Sequence, residues 1–284
     1  MRNTPLISCV ALAAFACIVP VKASRMQEKV SLEQLVTRHL ASIGTAEARS
    51  AVASRTASGK TTLRVRLGGA GNLDGTGMMV SVGEKLRFAM RFTANDYVGE
   101  DMAFDGNRAT TGMQPQGKRS LLSEFLNSQS GLLKEGLMGG TISTAWPLLR
   151  IDKLQPKLEY RGLKKIDGQD LHEVGYRPKS RGGEIKISLY FEPQLFRHVR
   201  SKYMYEVGAG VATREASNAN PEIYYSLTED FGDFRTVDGL TIPGKYKLVY
   251  SGQGRSASSM QEFTLIIDSI SHKEQINDRI FLIQ

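Results

Sequence analysis

Cysteine is nearly absent from this sequence. Its two cysteines, Cys9 and Cys17, both lie within the first 23 of 284 residues. If that stretch is removed, the remaining chain has no thiol, which excludes disulfides and cysteine-ligated metal sites. Beyond it, no apolar run approaches the roughly 20 residues that a helix needs to cross a bilayer. The rest of the chain must therefore fold by burying apolar area alone.

The first 23 residues have the layout of a secretory signal peptide. Arg2 supplies a positive start, Leu6 to Val19 form an apolar run, and Val21-Lys22-Ala23 matches the small-x-small cleavage rule. The run is too short for a membrane anchor. We predict cleavage after Ala23, which leaves residues 24–284 as the exported chain.

Neither cysteine fits a lipoprotein signal. Cys9 leaves too little apolar length before it, and the bulky Phe15 stands before Cys17 where a small residue is needed. Lipoprotein anchoring is therefore not expected.

Charge of one sign is not concentrated anywhere. The formal net charge is +8, and it falls to +6 when Arg2 and Lys22 leave with the signal peptide. Because the basic residues occur in ones and twos, they argue against a dedicated nucleic-acid binder. They fit either a surface that tolerates anionic lipid headgroups or ordinary solvated charge.

A helix with clear ends follows the signal peptide. Ser31 and Gln34 have the spacing of a capping box, and Gly44 has the position of a helix terminator. The apolar residues that recur on one face between them are Leu32, Leu35, Val36, Leu40 and Ile43.

From about Ala57 the hydrophobic period changes to two, which predicts strands with one apolar and one polar, often basic, face. The runs are Thr61–Leu67, Leu86–Phe92, Ile185–Phe191, Val199–Val207, Tyr246–Tyr250 and Phe263–Ile267. Parallel strands buried on both faces would instead be continuously apolar. Asp105-Gly106, Asp167-Gly168 and Asp238-Gly239 predict hairpin turns, and Gly68 to Gly77 has the composition of a loose loop.

The segment from Ser120 to Leu149 is rich in leucine, and its glycines together with Pro147 divide it into short helices. It is too apolar to stand exposed in water. We therefore predict an α+β domain over residues 24–284, in which a large curved antiparallel sheet is covered by helices, with a lid around residues 120–149.

Such a sheet and lid either close on a filled core or leave a lipid-sized cavity. The residues predicted to line that cavity are Leu63, Val65, Leu86, Phe88, Met90, Phe92, Leu122, Phe125, Leu126, Leu133, Trp146, Ile187, Leu189, Tyr203 and Tyr205.

Three stretches resemble the periplasmic lipoprotein-carrier superfamily of the LolA and LolB proteins and the mycobacterial LppX-type lipid carriers, especially exported outer-membrane lipoprotein-sorting proteins. They are His39–Gly44 with Arg55–Lys60, then Asp233–Arg235 with Val237–Pro243, and finally Ile267–Ile270 with Ile276–Asp278 and Ile280–Phe281. The middle segment has no such landmark, and the arginine that these carriers place in their cavity has no assignable position.

The resemblance implies an open half-barrel that holds a lipid or a lipoprotein acyl chain, in a soluble periplasmic monomer that touches membranes transiently. It implies no catalysis, no metal and no cofactor. Because fold does not fix function, the ligand and any envelope protein partner stay open.

The chemical motifs in the sequence are incomplete. Gly112 to Lys118 imitates a phosphate-binding loop, but Arg119 stands where Ser or Thr must hold magnesium. The four histidines, His39, His172, His198 and His272, are scattered singly. A zinc site would therefore need distant carboxylates to converge.

Two carboxylate pairs, Glu100-Asp101 and Glu229-Asp230, are neighbours on predicted strands. Neighbours on a strand point to opposite faces, so neither pair can flank one substrate bond. We interpret both pairs as parts of solvated faces, and an envelope enzyme has no convergent residues to support it.

A second hypothesis uses the same fold with a filled core. The protein would then be a structural or regulatory module of the cell envelope, which docks a partner protein through Arg64, Arg66, Arg87 and Arg91 on the basic face of the sheet.

The predicted cleavage can be checked directly. Protein recovered from the periplasm of an expressing cell should begin at Ser24, because the cleavage rule places the cut after Ala23. N-terminal sequencing and the intact mass measure this, and a retained Met1 would contradict it.

Overall fold

The computed structural model describes residues 30–69, 71–179, 185–207, 223–253, 258–272 and 274–283. The predicted signal peptide and its cleavage site lie outside these residues. From Ser31 onward the chain forms one compact unit.

A twelve-stranded sheet dominates this unit, and all its neighbouring strands run antiparallel. Its strands are β1 (Ser54–Leu67), β2 (Gly71–Val82), β3 (Lys85–Phe92), β4 (Gly99–Phe104), β5 (Ala109–Thr111), β6 (Lys157–Ile166), β7 (Gln169–Arg177), β8 (Lys186–Phe191), β9 (His198–Val207), β10 (Ile223–Gly232), β13 (Lys245–Gln253) and β14 (Ser258–Ser271). In the chain between β10 and β13, β11 (Arg235–Val237) and β12 (Leu240–Ile242) form a separate two-stranded sheet.

The strand order of the large sheet is β5-β4-β3-β2-β1-β14-β13-β10-β9-β8-β7-β6. The edge strands β5 and β6 do not pair with each other, so the sheet stays open. The predicted α+β fold, an open half-barrel of antiparallel strands with a few helices, is confirmed.

In the described part of the chain, five short helices accompany the sheet: α1 (Leu32–Ile43), α2 (Ala46–Ser50), α3 (Leu121–Ser128), α4 (Gly131–Lys134) and α5 (Ile151–Leu154). The predicted capping box of α1 is present, since the Gln34 amide donates to the Ser31 hydroxyl and the Ser31 amide donates to the Gln34 side chain. Single 3₁₀ turns cover Gly140–Ile142, Pro147–Arg150 and Asp278–Phe281. Among the described residues, no helix has the length and apolar character needed to cross a membrane.

Alternation along each strand gives the sheet two different faces. On β3, Leu86, Phe88 and Met90 are fully buried on the face that we call the inner face, whereas Arg87 and Arg91 lie on the outer face. Cross-strand register extends the inner face over the whole sheet. The apolar residues therefore form one continuous layer.

The expected loop from Gly68 to Gly77 is wrong, because β2 starts at Gly71 and pairs with both β1 and β3. A Cβ at Gly75 would stand 1.9 Å from the carbonyl oxygen of Arg91. Glycine in this strand therefore permits a close backbone approach, a role that composition alone does not separate from a flexible loop.

Two of the predicted Asp-Gly turns have the backbone of tight hairpins. Asp167 and Gly168 have φ values of 48° and 84°, and Asp238 and Gly239 have 49° and 77°. Positive φ at both central residues is typical of the type I′ turn, whose twist matches that of the flanking strands.

The C-terminal residues pack against the outer face at β3. Lys85 Nζ lies 2.6 Å from a carboxylate oxygen of Asp278, and Arg87 donates to the carbonyl oxygen of Ile280 over 2.7 Å. Phe281 is buried there. Part of the outer face is thus covered by the chain itself.

Phe88→Ala should lower the free energy of unfolding by about 3–5 kcal/mol, because it leaves a cavity in the inner layer. Phe88 is fully buried, with its ring edge-on to Tyr246 at 5.2 Å. The matched control is Ile266→Ala on the outer face, where 43% of the residue is exposed, and it should cost about 1 kcal/mol or less. Urea unfolding followed by circular dichroism measures both, and equal losses would contradict the assignment of the two faces.

Candidate functional site at the sheet and lid interface

Residues 120–154, which we call the lid segment, lie across the inner face. The Ser120 and Ser123 hydroxyls each donate to Glu100 of β4 at 2.7 Å, close to one edge of the sheet. Towards the other edge, the Tyr176 hydroxyl of β7 donates to Glu135 over 2.9 Å. One continuous segment therefore spans the width of the sheet.

The structure brings the predicted cavity residues to this interface. All of them are buried except Val65 and Tyr205, which are half-buried. Lid residues such as Leu132 and Leu137 are fully buried beside them. The lid is thus closed, and a ligand-holding role for these residues stays a prediction. A groove of about 680 Å³ beside β6 to β8 is bordered by Tyr176 and Ile187, and one of about 670 Å³ lies on the outer side of β1 to β3.

Trp146, the only tryptophan in the sequence, anchors the centre of the lid. Its ring stacks on His198 at a centroid distance of 4.3 Å, and its Nε1 donates to His39 Nε2 over 3.0 Å. His39 Nε2 therefore accepts, so its Nδ1 carries the proton and donates to the carbonyl oxygen of Phe196 over 3.0 Å.

Both histidines of this cluster are neutral near pH 7. Burial lowers the pKa of His39 to about 4, and burial lowers the pKa of His198 well below its usual value. Although they are 159 residues apart in the sequence, their ring centroids lie 6.3 Å from each other. Within the described residues, no group of three or more His, Cys, Asp or Glu side chains could hold a metal ion.

A buried arginine, Arg55 of β1, holds the middle of the lid. Its Nη1 donates to the carbonyl oxygens of Thr141 and Ile142 over 2.7 and 3.2 Å, and its Nε donates to His272 Nε2 over 2.8 Å. Burial lowers the pKa of Arg55 to about 10, so the guanidinium stays charged near pH 7. Sequence reasoning could not assign an arginine to the inner face because β1 carries several basic residues.

Glu229 of β10 lies fully buried at the centre of the interface. One carboxylate oxygen accepts the Gly139 amide and the Tyr246 hydroxyl, both over 2.7 Å, and the other accepts the Tyr203 hydroxyl over 2.6 Å. The Tyr203 hydroxyl also lies 3.1 Å from the carbonyl oxygen of Leu137. Burial raises the pKa of Glu229 to about 7.

Glu100 is the second buried carboxylate of the inner face. Besides Ser120 and Ser123 it accepts the Tyr97 hydroxyl, and burial raises its pKa above the ordinary value. The interpretation of Glu100-Asp101 and Glu229-Asp230 as parts of solvated faces is therefore wrong for three of the four residues. The neighbours do point to opposite faces, but the lid covers Glu100 and Glu229, while Arg87 and Arg91 pair with the buried Asp101.

At one end of the lid, aromatic side chains form a rim. Phe125 packs against Tyr225 and Tyr250 at centroid distances of 6.2 and 5.9 Å, and Tyr205 stacks on Tyr225 at 6.3 Å. Tyr205 and Tyr225 are half-buried, and the groove of about 250 Å³ that they border is otherwise lined by outer-face residues such as Lys202 and Tyr224. The half-buried Val65 belongs to the same end of β1. Here the apolar inner face reaches solvent.

The arginines of the outer face differ in their exposure and in their ion pairs. Arg87 and Arg91 share Asp101, and Arg66 lies 3.7 Å from Glu262. Arg64 is exposed on the same strand as Arg66. A partner could therefore reach Arg64 and Arg66 more readily than Arg87.

Several solved structures are similar to this chain in fold. A LolA superfamily protein from Nitrosomonas europaea has a TM-score of 0.47 and 15% identity, over 89% of this chain and 98% of that one. An outer membrane lipoprotein-sorting protein domain from Vibrio parahaemolyticus has a TM-score of 0.46 and 12% identity, over 87% and 97%. A DUF1329 family protein from Desulfovibrio piger has a TM-score of 0.39 and 7% identity, over 88% and 96%.

The fold is similar to that of LolA superfamily proteins. The likeness concerns fold alone. No protein-family model and no curated protein matches the sequence.

Arg55→Met should loosen the lid, because it leaves the carbonyl oxygens of Thr141 and Ile142 without their buried donor. We expect a loss of about 2 kcal/mol or more in the free energy of unfolding, with greater exposure of Trp146 to the quencher acrylamide. In the control Arg66→Met, a side chain that is 50% exposed is replaced, and its loss should stay within about 1 kcal/mol. Equal effects of the two changes would argue against the role of Arg55.

Proposed function

We propose that the protein is a non-enzymatic carrier of an apolar ligand, which lies between the inner face and the lid segment once the lid has moved outward. One observation carries the proposal: a continuous apolar face is covered by short helical pieces that discrete polar contacts hold in place. The ligand class that fits is an acyl chain, free or attached to a lipid or lipoprotein. The aromatic rim is its route of entry.

Approximate energies support an exchange of lid contacts for ligand contacts. Burying an acyl chain of about 16 carbons is worth roughly 12 kcal/mol at about 0.8 kcal/mol per methylene group. A neutral hydrogen bond from lid to sheet contributes about 1 kcal/mol net, and one to a charged group up to about 3 kcal/mol. A long acyl chain can therefore offset the loss of several lid contacts.

The predicted signal peptide supports a periplasmic location for this activity. If the protein is exported without a lipid anchor, as the sequence predicts, it suits a shuttle that collects its ligand at one membrane and releases it at another. Trafficking of outer-membrane lipoproteins or lipids is the corresponding role, with a monomer that contacts membranes transiently.

The alternative function is an envelope interaction module with a filled core. It is favoured by the full burial of most of the predicted cavity residues. In that case the exposed basic residues Arg64 and Arg66 would contact a protein partner, and the lid would not open.

Native mass spectrometry of the protein purified from periplasm should find a lipid or fatty acid bound. Titration of the delipidated protein with a fluorescent fatty acid should also shift the emission of Trp146, because the fully buried ring would change its surroundings.

Two adjacent tyrosines supply a matched pair for this titration. Tyr225→Ala removes a ring from the rim and should weaken binding about 5-fold to 10-fold, as expected for one aromatic contact. Tyr224→Ala removes the neighbouring, more exposed ring, whose strand position points to the other face, and should leave affinity unchanged.

The carrier function is wrong if no lipid is bound and Trp146 does not respond. Loss of a captured envelope partner after charge reversal at Arg64 and Arg66, with unchanged lipid content, would instead establish the alternative.

A further inference from the structure

The contacts of Glu229 contain a mismatch between donors and acceptors. The Tyr203 hydroxyl has one proton but faces two acceptors, the Glu229 carboxylate at 2.6 Å and the carbonyl oxygen of Leu137 at 3.1 Å. When Glu229 is ionised, Tyr203 donates to the carboxylate and the lid carbonyl loses this donor.

A proton on Glu229 removes the mismatch. The carboxyl hydroxyl then donates to the Tyr203 oxygen, which frees the Tyr203 proton for Leu137, while the other carboxyl oxygen still accepts from Gly139 and Tyr246. Every group in the cluster now has a partner, and two lid residues are held instead of one. We propose that Glu229 is a proton-dependent latch of the lid segment, which holds the lid closed when protonated and loosens it when ionised.

The lid backbone lies very close to the inner face beside Glu229. Gly139 and Gly140 have φ values of 80° and 49°, and a Cβ on them would lie 2.4 Å from Met79 Sδ and 2.7 Å from a ring carbon of Phe231. Only glycine lets this loop approach the inner face so closely. The backbone of the lid, rather than a flexible side chain, therefore supplies the Glu229 contact.

Burial favours the neutral form of Glu229 and outweighs the hydrogen bonds from Tyr203, Gly139 and Tyr246, which favour the ionised form. Tyr203 and Tyr246 face it from β9 and β13, and burial raises the pKa of both hydroxyls well above the usual value. Asp230 acts from the next residue and disfavours a second negative charge. His198 of β9 lies against Gly140 and is neutral near pH 7. Tyr176 of β7, which acts on Tyr203, is uncharged as well, since burial raises its pKa.

Lid opening depends on pH because the pKa of Glu229 differs between the closed and the open state. Burial raises the pKa of Glu229 in the closed state from an ordinary value of 4.5 to about 7. If opening the lid hydrates the carboxyl, the closed state binds the proton more tightly than the open state. Opening therefore becomes easier as pH rises from about 4.5 to about 7, by up to tenfold per pH unit, and levels off above that range.

Two other buried groups of the interface, His39 and Glu100, also respond to pH, with opposite signs. Burial lowers the pKa of His39 to about 4, so its protonation favours opening at low pH. Burial raises the pKa of Glu100, which acts in the same direction as Glu229. The test must therefore compare two proteins that share these groups.

Glu229→Gln supplies that comparison, because its amide donates to Tyr203 and accepts from Gly139 at every pH. Amide hydrogen exchange of residues 137–142, followed by mass spectrometry on the ligand-free protein, gives the opening constant of the lid. The ratio of opening constants, wild type over variant, should rise with pH across the range given above. A ratio that stays constant over that range overturns the proposal, and ligand binding does not enter it.

Asp230→Asn is the matched control, since it removes the adjacent carboxylate on the outer face and leaves the latch in place. Its opening constant should still rise with pH as in the wild type, with the rise displaced slightly to lower pH because Asp230 no longer disfavours the charge on Glu229.

Two tyrosine variants test the hydrogen-bond link from Glu229 through Tyr203 to Leu137, even if the glutamine variant fails to fold. Tyr203→Phe breaks the link to Leu137 and should weaken lid protection most at low pH. Tyr246→Phe leaves that link intact and removes one donor from the ionised carboxylate, so it should move the transition to higher pH. Identical pH profiles for the two variants would overturn the proposal.

Discussion

A wide sheet with one apolar face must hide that face from water, and the rest of this structure depends on that constraint. The twelve strands are too many for α1 alone to cover, and the open edges prevent the sheet from closing on itself. The lid segment meets the need with one piece of chain that crosses from β4 to β7. Its short helices follow the surface of the sheet because glycines and Pro147 break them at intervals.

Polar contacts within an apolar interface determine where the lid sits. Leucine side chains give little directional preference, whereas a hydrogen bond to a buried group has one geometry and is costly to break. Arg55, Glu100 and Glu229 therefore fix the register of the lid on the sheet, while the apolar layer supplies most of the free energy. The same groups can make closure responsive to protons, because two of them are carboxyls without exposure to water.

The sequence predicted the elements better than it predicted the site. Period-two runs such as Leu86–Phe92 and the leucine-rich Ser120 to Leu149 depend on local pattern, and the strands, the open sheet and the lid follow from them. The meeting of His39 with Trp146, and of Gly139 with Glu229, joins residues that are about a hundred positions apart. Local pattern carries no information about such pairs. The glycines of β2 and the carboxylates of β4 and β10 were misread for that reason.

The position of β14 has a consequence for how the chain folds. Strands β1 to β5 form one meander, and β6 to β10 with β13 form another. Among the described strands, β14 joins the two by pairing with β1 and β13. Thr56 meets Ser271 in that pairing, so the two meanders cannot become one sheet until nearly the whole chain is present. Contacts over such separations form slowly. The two meanders can therefore form separately, and their union through β14 is the late step of folding.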